Sequence, residues 1–281
     1  MAEKKKRLFC EINPTCYAIS VQKEICLRHL KDLKSDEKFA KTKSKDTLPY
    51  SVARFESNMI RRAPGVDLTL QENKAVNIGI AGKSINGIIV NPGETFSFCR
   101  TVGKPTKRKG FKDGRIIRNN KLIPGVGGGL CNLANYIHLL VLQTPLKVTE
   151  FHTHSDALAP DEGERHPLAA GTAAGYNYID FRFKNTTDQK IQLFVRTEGE
   201  MMYVELKSER EFPYDYELIE EGHHFAKRGE KYYRFSKIYR LVKDKKSGEL
   251  LEKQLIWDNK SEVMFDYSLI PEHLIKEPLT V

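Results

Sequence analysis

Residues 124–145 read PGVGGGLCNLANYIHLLVLQTP, and the rest of the chain can be arranged around them. The three consecutive glycines permit backbone angles and close approaches that no other residue allows. After them, apolar residues recur at three- and four-residue spacing from Leu133 to Val141, and Pro145 ends the pattern. The segment therefore predicts a buried helix that begins near Cys131 and is entered through a tight glycine turn.

Strand patterns lie on both sides of this helix. ETFSF precedes it, while KVTEF, YIDFRFKN, KIQLFVRTEG and MMYVELKSE follow it with apolar residues in alternation. We therefore expect an α+β fold in which the central helix packs on a mostly antiparallel sheet containing Tyr178–Lys184 and Lys190–Arg196. After residue 210, FAKRGEKYYRFSKIYRLVKD and KQLIWD predict a small β-rich C-terminal extension.

Composition and hydrophobic pattern divide the 281 residues into three parts. Residues 1–47 form a basic N-terminal segment with one short amphipathic helix around Val21–Leu33 and a linker, SDEKFAKTKSKDT. Residues 48–209 form the main domain and residues 210–281 the extension. No signal peptide and no stretch of about 18 apolar residues are visible, so we expect a cytoplasmic protein without a transmembrane segment.

The number and spacing of the five cysteines indicate which kinds of cysteine site the chain can contain. Their number is odd and no CxxC pair occurs, so neither a disulfide framework nor a zinc site is indicated. We expect no metal and no cofactor.

A basic stretch runs from Arg100 to Lys121, with nine Lys or Arg against one acid, Asp113. It accounts for most of the formal net charge of +9. Such a stretch attracts anionic partners such as cell-wall polymers, the surface of the cell envelope or nucleic acid, although charge runs are often simply solvated loops. No aromatic-interleaved recognition motif accompanies it, which argues against nucleic acid. The candidate binding residues here are Lys107, Arg108, Lys109 and Arg115.

Cys131 is the candidate nucleophile. At a helix N-terminus the free N–H groups and the helix dipole stabilise a thiolate, which is the reactive form of cysteine. The alternative is a structural cysteine buried beside a tight turn.

The sequence FHTHSD supplies candidate bases after the helix. His152 and His154 are two residues apart, so in a strand both would point to the same face. Either could act as a general base near neutral pH. His138, inside the helix, is better explained as a packed core histidine.

The series NPGETFSF, GGGLCN, HTHS and YIDFRFKNTTDQKIQL resembles the VanW domain in order and spacing, over residues 48–207. The usual core of the family, Gly-Gly-Gly-(Met/Leu/Ile)-Cys-Gln, corresponds to Gly127–Asn132. Its cysteine is Cys131 here. The family's histidine corresponds to His152 or His154, and we favour His154 because a serine follows it.

This resemblance implies a cell-envelope protein linked to glycopeptide resistance, with some members similar in action to L,D-transpeptidases. On that interpretation Cys131 attacks a peptidoglycan stem peptide and His154 is the base. The N–H groups of Gly129 to Asn132 form an oxyanion hole, and the basic stretch holds carboxylates. Gly127, Gly128, Gly129 and Asn132 would then contact the substrate. The alternative is a non-catalytic accessory protein that binds a cell-wall precursor or a partner protein.

Two departures from the family pattern concern the site. Asn132 replaces the usual glutamine and is one methylene shorter. The family's Asp-Ala-Thr segment corresponds to Gly171–Ala174, which has no acid. If an acid orients the histidine, Asp156 or Asp180 has to supply it.

Overall fold

A computed structural model of the chain describes residues 8–62, 66–118, 121–161, 166–168, 170–176 and 179–276. Four α-helices occur in these ranges: α1 (Pro14–Lys34), α2 (Leu68–Ile85), α3 (Phe98–Val102) and α4 (Leu130–Leu142). Within them, no helix combines the length and apolarity needed to cross a lipid bilayer.

The described strands are β1 (Lys38–Phe39), β2 (Tyr50–Asn58), β3 (Ile88–Val90), β4 (Glu94–Ser97), β5 (Asp113–Arg118), β6 (Lys121–Val126), β7 (Lys147–Glu150), β8 (His152–Thr153), β9 (Thr172–Ala173), β10 (Arg182–Lys184), β11 (Ile191–Glu198), β12 (Met201–Ser208), β13 (Tyr214–Arg228), β14 (Lys231–Asp244) and β15 (Leu250–Glu262). Nearly all of their pairings are antiparallel; β1 runs parallel to β4. The predicted α+β class is confirmed.

The strands form two four-stranded sheets, with the orders β1-β4-β10-β7 and β2-β12-β11-β3. We expected one sheet to contain both Tyr178–Lys184 and Lys190–Arg196, and this was wrong. β10 lies in the first sheet and β11 in the second. Tyr178 itself lies outside the described residues.

The chain passes between the two four-stranded sheets three times, and two of these corners, β3 to β4 and β10 to β11, are hydrogen-bonded to each other. At one corner the Asn185 side chain donates hydrogen bonds to the carbonyls of Val90 and Gln189, both at 2.8 Å. At the other, the Gly93 N–H donates to the Asn185 carbonyl at 2.8 Å. Because these bonds bend the chain between β10 and β11, the two strands cannot continue as one meander.

The N-terminal segment is more ordered than its composition indicated. α1 spans 21 residues rather than a short stretch. Its buried Asp32 accepts two hydrogen bonds from Arg182 of β10, at 2.7 and 2.8 Å. The segment interpreted as a linker supplies β1, which pairs with β4. Sheet pairing and a buried ion pair therefore attach this segment to the main domain.

α4 lies in the main core. Leu133, Ala134, Ile137, Leu140 and Val141 are fully buried there, in one apolar cluster with side chains from α2 and from both four-stranded sheets. The helix ends at Leu142, three residues before Pro145, as its pattern predicts.

The C-terminal extension is a three-stranded antiparallel sheet, β13-β14-β15, with strands of 13 to 15 residues. Ile238 of β14 shares an apolar cluster with Leu139 and Leu142 of α4. Trp257 of β15 lies so close to Gly171 that a Cβ there would come within 2.6 Å of the indole ring. The extension therefore packs against the elements that carry the candidate site.

Candidate functional site

The glycine turn before α4 is required by packing. Gly127 and Gly129 have φ of 80° and 95°, in the left-handed region that favours glycine. A Cβ on Gly128 would overlap the backbone of Gly114 in β5, and one on Gly129 would overlap the side chain of Lys74. The turn is thus pressed between α2 and the β5–β6 hairpin, and α4 starts at Leu130 with Cys131 in its first turn.

A buried asparagine of α2 holds this arrangement. Asn77 donates hydrogen bonds to the carbonyls of Gly128, at 2.9 Å, and Lys112, at 3.0 Å, and its side-chain oxygen accepts the Lys112 N–H at 2.8 Å. One side chain therefore fixes the glycine turn to the start of the hairpin.

One side of α4 forms contacts with Leu168, Thr172 and Ala174. Asn135 donates to the carbonyl of Leu168 at 2.9 Å and accepts from the Thr172 hydroxyl at 2.7 Å. One turn earlier, the Cys131 sulfur contacts the backbone of Ala174, with 3.4 Å to its N–H nitrogen and 3.5 Å to its carbonyl oxygen. β9 is therefore held beside the start of α4.

β9 in turn places His154. It pairs with β8, and the His154 N–H donates to the Gly171 carbonyl at 2.8 Å. Nδ1 of His154 lies 2.7 Å from the carbonyl oxygen of Ser155, which can only accept, so Nδ1 carries a proton. The other nitrogen, Nε2, is left to exchange a proton with a neighbour. The His154 side chain lies close enough to Cys131 for each group to shift the pKa of the other.

The two side chains shift each other's pKa in opposite directions. Burial acts to raise the pKa of Cys131, but the hydrogen bond and charge of His154 and the N–H groups of Ala174 and Cys131 outweigh it, so the pKa is lowered. Burial acts to lower the pKa of His154, but the hydrogen bond and charge of Cys131 outweigh it, so the pKa is raised. Both directions favour a thiolate–imidazolium pair.

Asp156 is the acid whose charge acts on His154 in this pair. Its negative charge contributes to the raised pKa of His154. The Asn259 side chain of β15 donates to the Asp156 carboxylate at 3.0 Å, and the Asp156 N–H donates to the hydroxyl of Ser261 at 3.1 Å. The C-terminal sheet therefore positions this acid.

Asp180, the other acid considered, lies elsewhere. Its carboxylate accepts from the Ser97 hydroxyl at 2.5 Å, the Cys99 N–H at 2.8 Å and Arg182 at 2.7 Å. It serves the buried network of β4 and β10 and is not among the groups that shift the pKa of His154.

The other two histidines considered above, His152 and His138, have different surroundings. His152 Nε2 lies 2.9 Å from a carboxylate oxygen of Glu150, so it is paired away from Cys131. His138 is buried between Phe151 and Phe181, with ring centroids 4.5 and 4.9 Å away, and burial lowers its pKa to about 3. The prediction that His138 is a core histidine is confirmed.

Two of the four predicted oxyanion donors are in use within the turn itself. The Leu130 N–H donates to the Gly127 carbonyl at 3.4 Å, and the Asn132 N–H donates to the Gly129 carbonyl at 3.0 Å. The Cys131 N–H contacts its own sulfur. The set predicted from Gly129 to Asn132 therefore does not stand free as a group.

Cys131 is half-buried and lines a cleft of about 1020 Å³, together with His154, Asn132 and Gly129. This volume is large enough for a peptide-sized ligand. The side-chain oxygen of Asn132 is buried and accepts no hydrogen bond from any described residue.

The cations of the cleft are mostly not those predicted. Lys107, Arg108 and Lys109 form an exposed turn, Lys107 pairs with Asp113 at 2.9 Å, and none of the three lines the cleft. Arg115 does line it, because β5 carries it past the glycine turn. Arg61 and Lys74 also line it. The sequence offered no signal for these two, because they lie 57 or more residues from Cys131 in the chain.

Within the described ranges, no three His, Cys, Asp or Glu side chains are placed to hold a metal ion.

The sequence is similar to those of known proteins. Residues 73–207 match a family model described as VanW like protein. The chain is 27% identical over 227 residues to the vancomycin B-type resistance protein VanW of Enterococcus faecalis, covering 81% of this chain and 82% of that protein. It is 30% identical over 137 residues to the uncharacterized protein YoaR of Bacillus subtilis, covering 49% and 44% respectively. No solved structure matches.

Proposed function

Because this chain belongs to the VanW family through its residues 73–207, we propose that it is a cysteine-dependent acyltransferase acting on peptidoglycan peptides, of L,D-transpeptidase type. The observation that carries the proposal is that Cys131, at the start of α4, and His154 line the same cleft and shift each other's pKa toward a thiolate and an imidazolium, in a volume large enough for a peptide. The relative named as a vancomycin B-type resistance protein supports a role in glycopeptide resistance.

The chemistry balances with these two side chains. The Cys131 thiolate attacks the carbonyl carbon of a stem-peptide amide, and the C–N bond breaks as the departing amine takes a proton from the His154 imidazolium. A thioester remains on the sulfur. A second stem amine then attacks the thioester, gives a proton to His154 and releases the thiolate. No net oxidation or reduction occurs.

Asp156 supports this role for His154 without contacting the substrate. A negative charge near the ring favours the imidazolium, which is the acid required in the first step. We propose Asp156 as a positioning residue, supported by Asn259.

The test is incubation of the purified chain with tetrapeptide-stem muropeptides, followed by mass spectrometry of the intact protein and of its peptides. We expect an acyl adduct on Cys131 that Cys131→Ser abolishes. Cys26→Ser is the matched control, because Cys26 is exposed on α1 and plays no part in the cleft. Absence of an adduct in a protein whose Cys131 still reacts with iodoacetamide would refute the acyltransferase.

A binding role without turnover is the second candidate. It is favoured by the contacts of the Cys131 sulfur with both backbone groups of Ala174, which are also those of a packed structural cysteine. On this alternative, Cys131→Ala lowers the melting temperature by several degrees. On the acyltransferase proposal the same variant keeps its stability nearly unchanged and loses the adduct.

A further inference from the structure

Besides Arg62, which is paired with Glu200, three cationic side chains meet in the cleft from separate parts of the chain. Arg61 follows β2, Lys74 lies on α2 and Arg115 lies on β5. Lys74 packs its stem against Gly129, and the Arg115 backbone lies against Gly128, so both lie beside the turn that presents Cys131. The charges are therefore gathered next to the candidate nucleophile.

Two of these cations have no acid partner among the residues that the structure describes. Lys74 and Arg115 form no hydrogen bond or ion pair with any described residue, and the charges that act on them are those of other cations. The two aspartates that line the cleft are engaged elsewhere, Asp156 with Asn259 and Asp161 with Arg234, the latter at 2.7 Å.

Like charges gathered in a half-buried cleft cost free energy unless an anion joins them. Folding gains nothing from this arrangement, so a bound anion is its physical explanation. The unpartnered side-chain oxygen of Asn132, in the same cleft, calls for an N–H donor on the same ligand. An anion with a neighbouring amide N–H is the end of a peptide.

We propose that Lys74 and Arg115 form a subsite for the carboxylate of a peptide substrate, and that Asn132 accepts a hydrogen bond from the adjacent amide N–H. This inference rests on the proposed function, because it names the substrate feature that Cys131 would require. On this proposal, side chains of α2 and β5 bind the substrate carboxylate, and the exposed turn at residues 107–109 does not.

The test is a ligand-observed NMR titration at constant ionic strength. The probes are N-acetylalanine, its uncharged amide N-acetylalaninamide, and inorganic phosphate. We expect the amide to bind at least tenfold more weakly than the acid, and Lys74→Met and Arg115→Met each to weaken the acid at least tenfold. Asn132→Ala should weaken the acid and the amide by the same factor.

Lys83→Met is the matched control, because Lys83 lies on the same helix and is exposed. It should bind the acid like the unmodified chain. Equal binding of acid and amide, or unchanged binding in both Lys74→Met and Arg115→Met, would overturn the subsite. Binding of phosphate in preference to the acid would overturn its assignment to a carboxylate.

Cys131→Ser separates the two proposals. It should bind N-acetylalanine normally, since the subsite does not need the sulfur. If muropeptides form no adduct on Cys131 but the acid still requires Lys74, the acyltransferase fails and the subsite stands. If the adduct forms but acid and amide bind equally, the subsite fails alone.

Discussion

Replacing Lys74 by methionine should make the folded protein more stable while it weakens anion binding. The Lys74 stem packs against Gly129, and methionine keeps that contact with a similar length. The amine forms no hydrogen bond or ion pair with any described residue, so its removal leaves no partner unsatisfied. What is removed is a buried positive charge held beside two guanidinium groups.

The size of the effect follows from the pKa of Lys74. Burial, and then the charges of Arg115 and Arg61, lower it from 10.5 to about 8. A tenfold change in an ionisation constant corresponds to about 1.4 kcal/mol, so the protonated amine costs the folded state about 3 kcal/mol. Since the side chain is only half-buried, solvent screens part of this cost, and we expect Lys74→Met to raise the free energy of unfolding by about 1–2 kcal/mol at pH 7.

The effect should depend on pH in a defined direction. Below pH 8 Lys74 is protonated in both the folded and the unfolded state, so the folded state bears the whole cost. As pH rises from about 8 to 10.5 the folded state loses this proton first and the cost disappears. The stability difference between Lys74→Met and the unmodified chain is therefore largest at pH 7 and shrinks toward pH 10.5.

Urea unfolding followed by circular dichroism at pH 7, 8, 9 and 10 measures this difference. Lys83→Met, on the exposed face of the same helix, should change stability by less than about 0.5 kcal/mol at every pH. If Lys74→Met is no more stable than the unmodified chain at pH 7, or if its advantage is the same at pH 10, the amine is not desolvated in the cleft and the reasoning fails.

Three further outcomes are expected. His154→Ala removes the charge that favours the thiolate, so the pH at which iodoacetamide alkylates Cys131 half-maximally should rise; an unchanged pH profile would show that the imidazole does not activate the sulfur. Arg182→Met leaves Asp32 buried without its two strongest hydrogen bonds, so urea unfolding should show a loss of about 3–5 kcal/mol, and a loss below about 1 kcal/mol would mean that this ion pair does not hold α1. Gly128→Ala forces a Cβ onto the backbone of β5 and should cost about 3 kcal/mol in the same assay; wild-type stability would contradict the close approach.

The local elements could be predicted because their signals lie within a few residues of one another. Apolar spacing after the triple glycine predicts α4 and its first turn at Cys131, and Pro145 predicts its end. Alternation predicts β11 and β12, which pair as neighbours. Composition underestimated the order of residues 1–47. The partners of Asp32 and β1 lie on β10 and β4, far along the chain, so no local pattern shows them.

The sequence by itself determined the α+β class, the helix that presents Cys131 and two histidines that could serve it. Only the tertiary structure distinguishes between those histidines. α4 holds β9 through Asn135, and β9 places His154 beside the Cys131 sulfur, whereas His152 pairs with Glu150. The cations beside the site were likewise decided by packing. Charge density along the chain favoured residues 107–109, but a cleft selects side chains by where α2 and β5 place them, and those contacts cross distances that no local pattern encodes.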